Sequence, residues 1–129
     1  MCLQETCVDH SEQAWAAAAL AHVGHELHGA GWKAYFNTFP SYRVQQGVAI
    51  LVRLDLLHSG RLRILDVAVD GSEHGSGRLL RVHLEWGGHR FWVLSAYLRS
   101  GDYSAQRSLM QSCLQPVAQQ VQGMQVVVA

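Results

Sequence analysis

The stretch GVAILVR, residues 47–53, is a continuous apolar run rich in β-branched side chains. Such runs are typical of strands covered on both faces, because a strand with one solvated face alternates apolar and polar residues. We therefore predict a central strand here. Gly87 and Gly88 mark a hairpin turn between two of the other candidate strands. Those strands lie at residues 1–5, 32–36, 61–69, 78–86, 91–98 and 125–129.

Two helices are predicted between the strands. Asp9 and Glu12 have the spacing of a capping box ahead of an alanine-rich stretch that ends at Gly29. Four apolar residues of this stretch recur at three- and four-residue intervals and predict one buried face: Ala16, Leu20, Val23 and Leu27.

The second predicted helix covers residues 104–122, and Pro116 is expected to kink it or divide it in two. The resulting order is β-α-β-β-β-β-β-α-β. Strands are in the majority, and this order predicts an α+β domain of the layered α/β/α sandwich type.

Composition limits the classes of function. The chain has 129 residues with no formal net charge, so it carries no overall basic footprint for nucleic acid. No apolar run approaches the roughly 20 residues of a membrane-spanning helix, and no secretory signal is recognisable. Cys2, Cys7 and Cys113 have no disulfide spacing and predict free thiols. We expect an intracellular protein, nuclear or cytoplasmic, without a membrane partner.

Three histidines on the first predicted helix offer a candidate metal site. His22, His25 and His28 are three residues apart, which brings successive imidazoles near one another. A weak transition-metal site is conceivable. The zinc-protease pattern, with histidines four apart and a glutamate after the first, is absent. The favoured interpretation is a solvated helix face.

Four short motifs, taken in order, resemble a known family. They are LQET at residues 3–6, GVAILV at 47–52, SAY at 95–97 and QVVVA at 125–129. Together they resemble the endonuclease/exonuclease/phosphatase superfamily, which includes abasic-site endonucleases, retrotransposon endonuclease domains, deadenylases, inositol polyphosphate phosphatases and neutral sphingomyelinases. The resemblance implies a four-layered α/β sandwich. This chain would cover its first half, a mostly antiparallel sheet with two helices.

The resemblance also implies site residues. Glu5 matches the metal-binding glutamate of the family, for which a magnesium or manganese ion is expected. Tyr97 matches an active-site tyrosine that contacts the phosphate, where a hydroxyl can stabilise developing charge. Arg99 and Ser100 follow it as candidate phosphate contacts. The proline that commonly follows the tyrosine in the family is missing.

Several family residues have no counterpart in the chain. An asparagine on a strand before LQE, an aspartate-asparagine motif after the VVVA strand, and a catalytic aspartate-histidine pair all fall outside residues 1–129. We therefore expect a partial domain that lacks the first strand and the C-terminal half. Such a chain would bind metal weakly at best and have little or no activity alone.

Three functions remain open at this point. The first is part of a magnesium-dependent phosphodiesterase, a DNA endonuclease of the retrotransposon or abasic-site type. The second is a non-catalytic remnant or interaction module, which would self-associate through an exposed apolar sheet face. The third is a phosphatase or sphingomyelinase-like phosphoesterase of the same superfamily.

Overall fold

The computed structural model describes residues 1–38, 47–71, 76–98, 101–120 and 125–128. Within these ranges the chain forms seven strands: β1 (Cys2–Gln4), β2 (Trp32–Asn37), β3 (Val48–Arg53), β4 (Leu62–Val69), β5 (Leu79–Trp86), β6 (His89–Ala96) and β7 (Gln125–Val128). It also forms four α-helices: α1 (Gln13–His28), α2 (Leu54–His58), α3 (Tyr103–Leu109) and α4 (Gln115–Gln120).

The strands form two sheets. The first has the order β1-β3-β2 and the second the order β4-β5-β6-β7. All pairings are antiparallel except that of β6 with β7, which is parallel. The predicted central strand at residues 47–53 is confirmed, since β3 lies between β1 and β2. The predicted α+β class with mostly antiparallel pairing is also confirmed.

The two sheets pack face to face around one apolar core. The first sheet contributes Val48, Ile50 and Val52, and the second contributes Leu80 and Val82, each at most 5% exposed. Burying a side chain of this size stabilises the fold by about 1.5–3 kcal/mol. The expectation of an exposed apolar sheet face is therefore wrong for the described residues. The chain supplies a second sheet after the turn that follows α2, and each sheet covers the apolar face of the other.

The helices form the outer layers of the sandwich. α1 packs against the first sheet beside β2. Leu109 of α3 is 1% exposed and joins Leu79, Leu94 and Ala96 on the outer face of the second sheet. The order of layers is helix, sheet, sheet, helix. Among the described helices, none has the length and apolar character to cross a membrane.

The buried face of α1 differs in part from the prediction. Ala16 is buried as predicted, but Val23 and Leu27 are 48% and 70% exposed. The indole of Trp32 lies where a side chain on Gly24 would be, and a Cβ there would stand 1.7 Å from its Cδ1. The helix therefore meets the sheet through Gly24, and this turns the neighbouring apolar positions outward.

The C-terminal helical region is also less regular than predicted. α3 begins with the Asp102 carboxylate accepting the Ala105 N–H at 3.0 Å. A π-helical segment, Met110–Leu114, then separates α3 from α4, and α4 includes Pro116. Since proline lacks an N–H, the wider turn ahead of it accommodates the missing backbone hydrogen bond. α2 was not predicted, because five residues are too few for a periodic pattern.

Asn37 fastens the end of β2 to the second sheet. It is 3% exposed, its Nδ2 donates to the carbonyl oxygen of Leu79 at 2.7 Å, and its Oδ1 accepts the N–H of Gly77 at 3.0 Å. This buried amide both donates and accepts a hydrogen bond across the two sheets. It fixes their separation, because loss of either partner leaves a polar group unsatisfied.

We expect Asn37→Ala to lower the free energy of unfolding by about 2–4 kcal/mol, from the lost bonds and the polar groups left unpaired. Chemical denaturation of the 129-residue chain measures this change. Glu26→Ala, at an exposed position on α1, is the control and should stay within about 0.5 kcal/mol of the parent. Equal losses in both variants would contradict the role given to Asn37.

Candidate active site

Side-chain hydrogen bonds tie the C-terminal ends of β1 and β6 together. The Gln4 side chain donates from Nε2 to the carbonyl oxygen of Ala96 at 2.9 Å. The Ser95 hydroxyl, on a residue with no exposed surface, donates to the carbonyl oxygen of Leu3 at 3.3 Å. These bonds join strands of different sheets, so the residues that follow each strand are held side by side.

Glu5 and Tyr97 meet at this junction. The Tyr97 hydroxyl donates to Glu5 Oε1 at 2.5 Å, across 92 residues of sequence. The Tyr97 ring packs against the inner core, and its backbone N–H donates to the carbonyl oxygen of Arg78 at 2.8 Å. Glu5 is exposed. A half-buried phenol therefore presents its hydroxyl to a carboxylate at the surface.

The segment after Glu5 returns the chain to α1 through a turn that contains both hydrogen bonds of the predicted capping box, although the N-cap of α1 is Glu12 and has no side-chain cap. The Asp9 Oδ1 accepts the Glu12 N–H at 3.1 Å, and the Asp9 N–H donates to Glu12 Oε2 at 3.3 Å. Asp9 Oδ1 also accepts both the hydroxyl and the N–H of Ser11 at 2.6 Å. The hydrogen bond from the Ser11 hydroxyl is the main reason that the pKa of Asp9 lies below its ordinary value.

The chemistry of this corner suits a hard divalent cation. Magnesium is held in many sites by one or two carboxylates while it keeps several waters. Glu5 supplies one carboxylate at this point, and its Oε2 accepts no hydrogen bond within the described ranges. Those ranges contain no group of three or more histidine, cysteine, aspartate or glutamate side chains that could hold a metal. The donor set is therefore compatible with a weakly held, mostly hydrated ion.

The remaining sequence candidates lie elsewhere or are not described. His22, His25 and His28 are exposed, in agreement with the interpretation of a solvated helix face. Arg99 and Ser100, predicted as phosphate contacts, fall outside the described residues.

Three residues that position the site were not singled out from the sequence. Gln4 and Ser95 act through hydrogen bonds between residues 92 apart, which no local pattern reveals. The carbonyl oxygen of Gly47 accepts the N–H of Thr6, the residue that follows Glu5, at 3.1 Å. The only available signal for Gly47 was a glycine at the start of the GVAILVR run.

Comparison with solved structures identifies the fold. The catalytic domain of human Nocturnin, solved with a bound sulfate anion, superimposes with a TM-score of 0.57 at 17% identity, over 98% of this chain and 48% of that one. Truncated TDP2 from Caenorhabditis elegans gives 0.52 at 21% identity, over 97% and 45%. TDP2 from D. rerio, in complex with a single-stranded DNA product, gives 0.51 at 15%, over 98% and 44%.

Nocturnin and TDP2 both belong to the endonuclease/exonuclease/phosphatase superfamily. At these identities the likeness concerns the fold, and the predicted first half of that superfamily's fold is confirmed. The chain spans a little under half the length of each of these three structures. No protein-family model and no curated protein matches the sequence.

The contact between Glu5 and Tyr97 can be measured by a double-mutant cycle. We expect Glu5→Gln and Tyr97→Phe to be coupled by about 0.5–1 kcal/mol in urea denaturation, since Glu5→Gln removes the charge of the acceptor and Tyr97→Phe removes the donor of the same hydrogen bond. Tyr103→Phe, at a tyrosine that is 81% exposed, is the control for loss of a phenol and should be uncoupled from Glu5→Gln. Additive effects in the Glu5–Tyr97 cycle would contradict a charge-assisted hydrogen bond between the two side chains.

The depressed pKa of Asp9 predicts a pH effect. A carboxyl whose pKa is lower in the folded state contributes stability above its unfolded pKa, about 3.9, and loses it as the pH falls through the folded value. Asp9→Asn keeps an oxygen acceptor for Ser11 and Glu12 but cannot titrate. We expect its melting temperature to fall less than that of the parent between pH 5 and pH 2.5. Parallel acid profiles would contradict the role given to the hydrogen bonds of Asp9.

Proposed function

We propose that this chain contributes Glu5 and Tyr97 to a metal-dependent phosphoesterase that cleaves phosphodiester bonds in nucleic acid. The observation that carries the proposal is the 2.5 Å contact between the Tyr97 hydroxyl and Glu5 Oε1. It joins two side chains from different sheets at one exposed point: a potential metal ligand and a potential hydrogen-bond donor to phosphate. A purely structural pair gains little there, because hydrogen bonds and ion pairs exposed to water stabilise proteins weakly.

Glu5 is the residue proposed to hold a magnesium ion, or manganese in its place. The carboxylate is exposed, and one of its oxygens is used by Tyr97, which leaves the other for the ion. When bound, such an ion neutralises phosphate charge and lowers the pKa of a coordinated water. A carboxylate oxygen is the hard type of ligand by which proteins usually hold these cations.

Tyr97 is proposed to contact the phosphate. A phenol has a single O–H donor, and in the structure Glu5 accepts it. Contact with a phosphate therefore requires this donor to turn from the carboxylate to a phosphate oxygen. The ring is anchored in the inner core, so the turn needs only rotation of the hydroxyl. A donor placed in this way stabilises negative charge that develops during the reaction.

Nucleic acid is the proposed substrate class. The D. rerio TDP2 structure with a similar fold holds a single-stranded DNA product, which supports nucleic acid over the alternatives. The finer class expected from the sequence, a DNA endonuclease of retrotransposon or abasic-site type, remains part of the proposal. A phosphatase or sphingomyelinase-like activity is the second candidate, to be separated by substrate. The interaction module loses its main support, because the inner faces of the described sheets cover each other.

The extent of the chain bears on how active it is alone. It corresponds to 44–48% of the length of the similar structures. We propose that residues 1–129 are part of a larger phosphoesterase domain and that further metal-binding and base residues lie outside them. On this proposal the isolated chain binds metal weakly and turns over slowly.

Metal titration tests the proposal directly. Mn²⁺ binding to the 129-residue chain, followed by electron paramagnetic resonance, should weaken by more than about tenfold in Glu5→Gln. Glu26→Gln, an exposed acid on α1, is the matched control and should bind as the parent does. Equal affinity in the parent and Glu5→Gln would overturn the role of Glu5.

Substrate choice needs a separate measurement. The chain is incubated with Mg²⁺ and a labelled single-stranded oligonucleotide, supercoiled plasmid, an inositol polyphosphate or sphingomyelin. We expect little turnover, confined to the nucleic acids and absent from Glu5→Gln. Turnover of the phospholipid or the inositol phosphate alone would replace the nuclease proposal with the second candidate. Robust plasmid cleavage that Glu5→Gln abolishes would contradict the low activity expected of the isolated chain.

A further inference from the structure

The backbone on both sides of Thr6 has an unusual conformation. Glu5 and Cys7 each have a φ of +51°, in the left-handed region that residues with a Cβ rarely adopt. Such residues persist only where their surroundings hold them in place, and they cluster at functional sites. Something beyond local preference therefore fixes this segment, which carries the Glu5 carboxylate.

Gly47 is the residue in contact with this segment. Its carbonyl oxygen accepts the Thr6 N–H at 3.1 Å. Its own φ is +134°, and a Cβ at that position would lie 2.4 Å from Thr6 Oγ1. The next nearest atoms, Asn37 O and Thr6 Cβ, are both at 3.7 Å, which is ordinary contact. The Thr6 hydroxyl is therefore the one atom that this Cβ would overlap, and the positive φ of Gly47 separately strains any residue with a side chain.

The Thr6 hydroxyl is buried without a hydrogen-bond partner in the described part of the chain. A buried polar atom left unpaired opposes folding. Thr6 is nevertheless held against Gly47, directly before the most deeply buried strand, where Val48 and Ala49 have no exposed surface. The rigid start of β3 is thus the surface on which the segment around Thr6 rests.

We propose that Gly47 is a positioning residue for the candidate active site. Its missing side chain allows Thr6 to rest against the start of β3, and this fixes the Glu5 carboxylate beside the Tyr97 hydroxyl. The relevance to metal binding rests on the proposed function of Glu5. The positioning itself rests only on the contacts of residues 5, 6, 47 and 97.

The spectroscopic test follows the Tyr97 Cζ resonance in ¹³C-tyrosine-labelled chain, assigned by its loss in Tyr97→Phe. Glu5→Gln gives the resonance position in the absence of a carboxylate. We expect Gly47→Ala to move the resonance toward that position and to weaken Mn²⁺ binding by about tenfold. Gly60→Ala is the control, because Gly60 has a φ of +70° and no atom within 4 Å of its Cβ position. It should leave both signals unchanged.

Two double variants separate the contact from general damage to the fold. Thr6→Ala removes the atom that a residue-47 Cβ would meet but leaves the strain of the positive φ, so Thr6→Ala/Gly47→Ala should return the resonance most of the way to the parent position. Thr6→Val keeps a methyl group where the hydroxyl lies, so Thr6→Val/Gly47→Ala should not. If Gly47→Ala does not fold, the two double variants are compared with each other: both carry the same backbone strain, so the alanine pair should be the more stable and should lie closer to the parent resonance than the valine pair.

The outcomes distinguish this inference from the function it serves. An unshifted Tyr97 resonance in Gly47→Ala, or equal behaviour of the two double variants, overturns the positioning role. A resonance that moves as expected in a parent chain that binds no Mn²⁺ supports the positioning role and overturns the proposed metal site instead.

Discussion

The face-to-face packing of the two sheets is the interaction on which the rest of the structure depends. β3 supplies Val48, Ile50 and Val52 to this interface, all within 5% of full burial. The ends of β1 and β6 lie next to each other only because the sheets that carry them are pressed together. Glu5 follows one strand and Tyr97 follows the other, so their contact is a consequence of the core.

Side-chain hydrogen bonds at the edge of the interface fix the position of one sheet relative to the other. Gln4 and Ser95 join the sheets next to the site, and Asn37 joins them at the end of β2. An apolar interface alone tolerates small shifts, because dispersion forces have little directional preference. Hydrogen bonds resist such shifts, because breaking them leaves buried donors and acceptors unsatisfied. The site is precise because it lies where these bonds are made.

Sequence patterns predict the elements well and their mutual placement poorly. The continuous apolar run at 47–53 indicates a strand covered on both faces, and β3 is one. The three- and four-residue spacing in α1 predicts burial of Val23 and Leu27, which are exposed. The error arises because Gly24, packed under Trp32, sets which face meets the sheet. Periodicity identifies an apolar face but not the neighbour that it packs against.

The candidate site was likewise predictable in part: its residues could be found from the sequence, but the contacts that position them could not. Glu5 and Tyr97 were found by resemblance of short motifs, and the structure brings them within hydrogen-bonding distance. Gly47 and Ser95 could not be assigned roles from sequence, because their function lies in contacts with residues far away in the chain. The number of sheets was also missed: a pattern of strands does not reveal where one sheet ends and the next begins, and this led to the mistaken expectation of an exposed apolar face.

The central proposal is that the fold brings Glu5, the proposed metal ligand, and Tyr97, the proposed hydrogen-bond donor to phosphate, to one point. Paramagnetic broadening by Mn²⁺ measures this most directly. In ¹³C-tyrosine-labelled chain, trace Mn²⁺ should broaden the Tyr97 resonance strongly and that of Tyr103 little, and Glu5→Gln should abolish the difference. Equal broadening of the two tyrosines, or selective broadening of Tyr97 that persists in Glu5→Gln, would contradict the account.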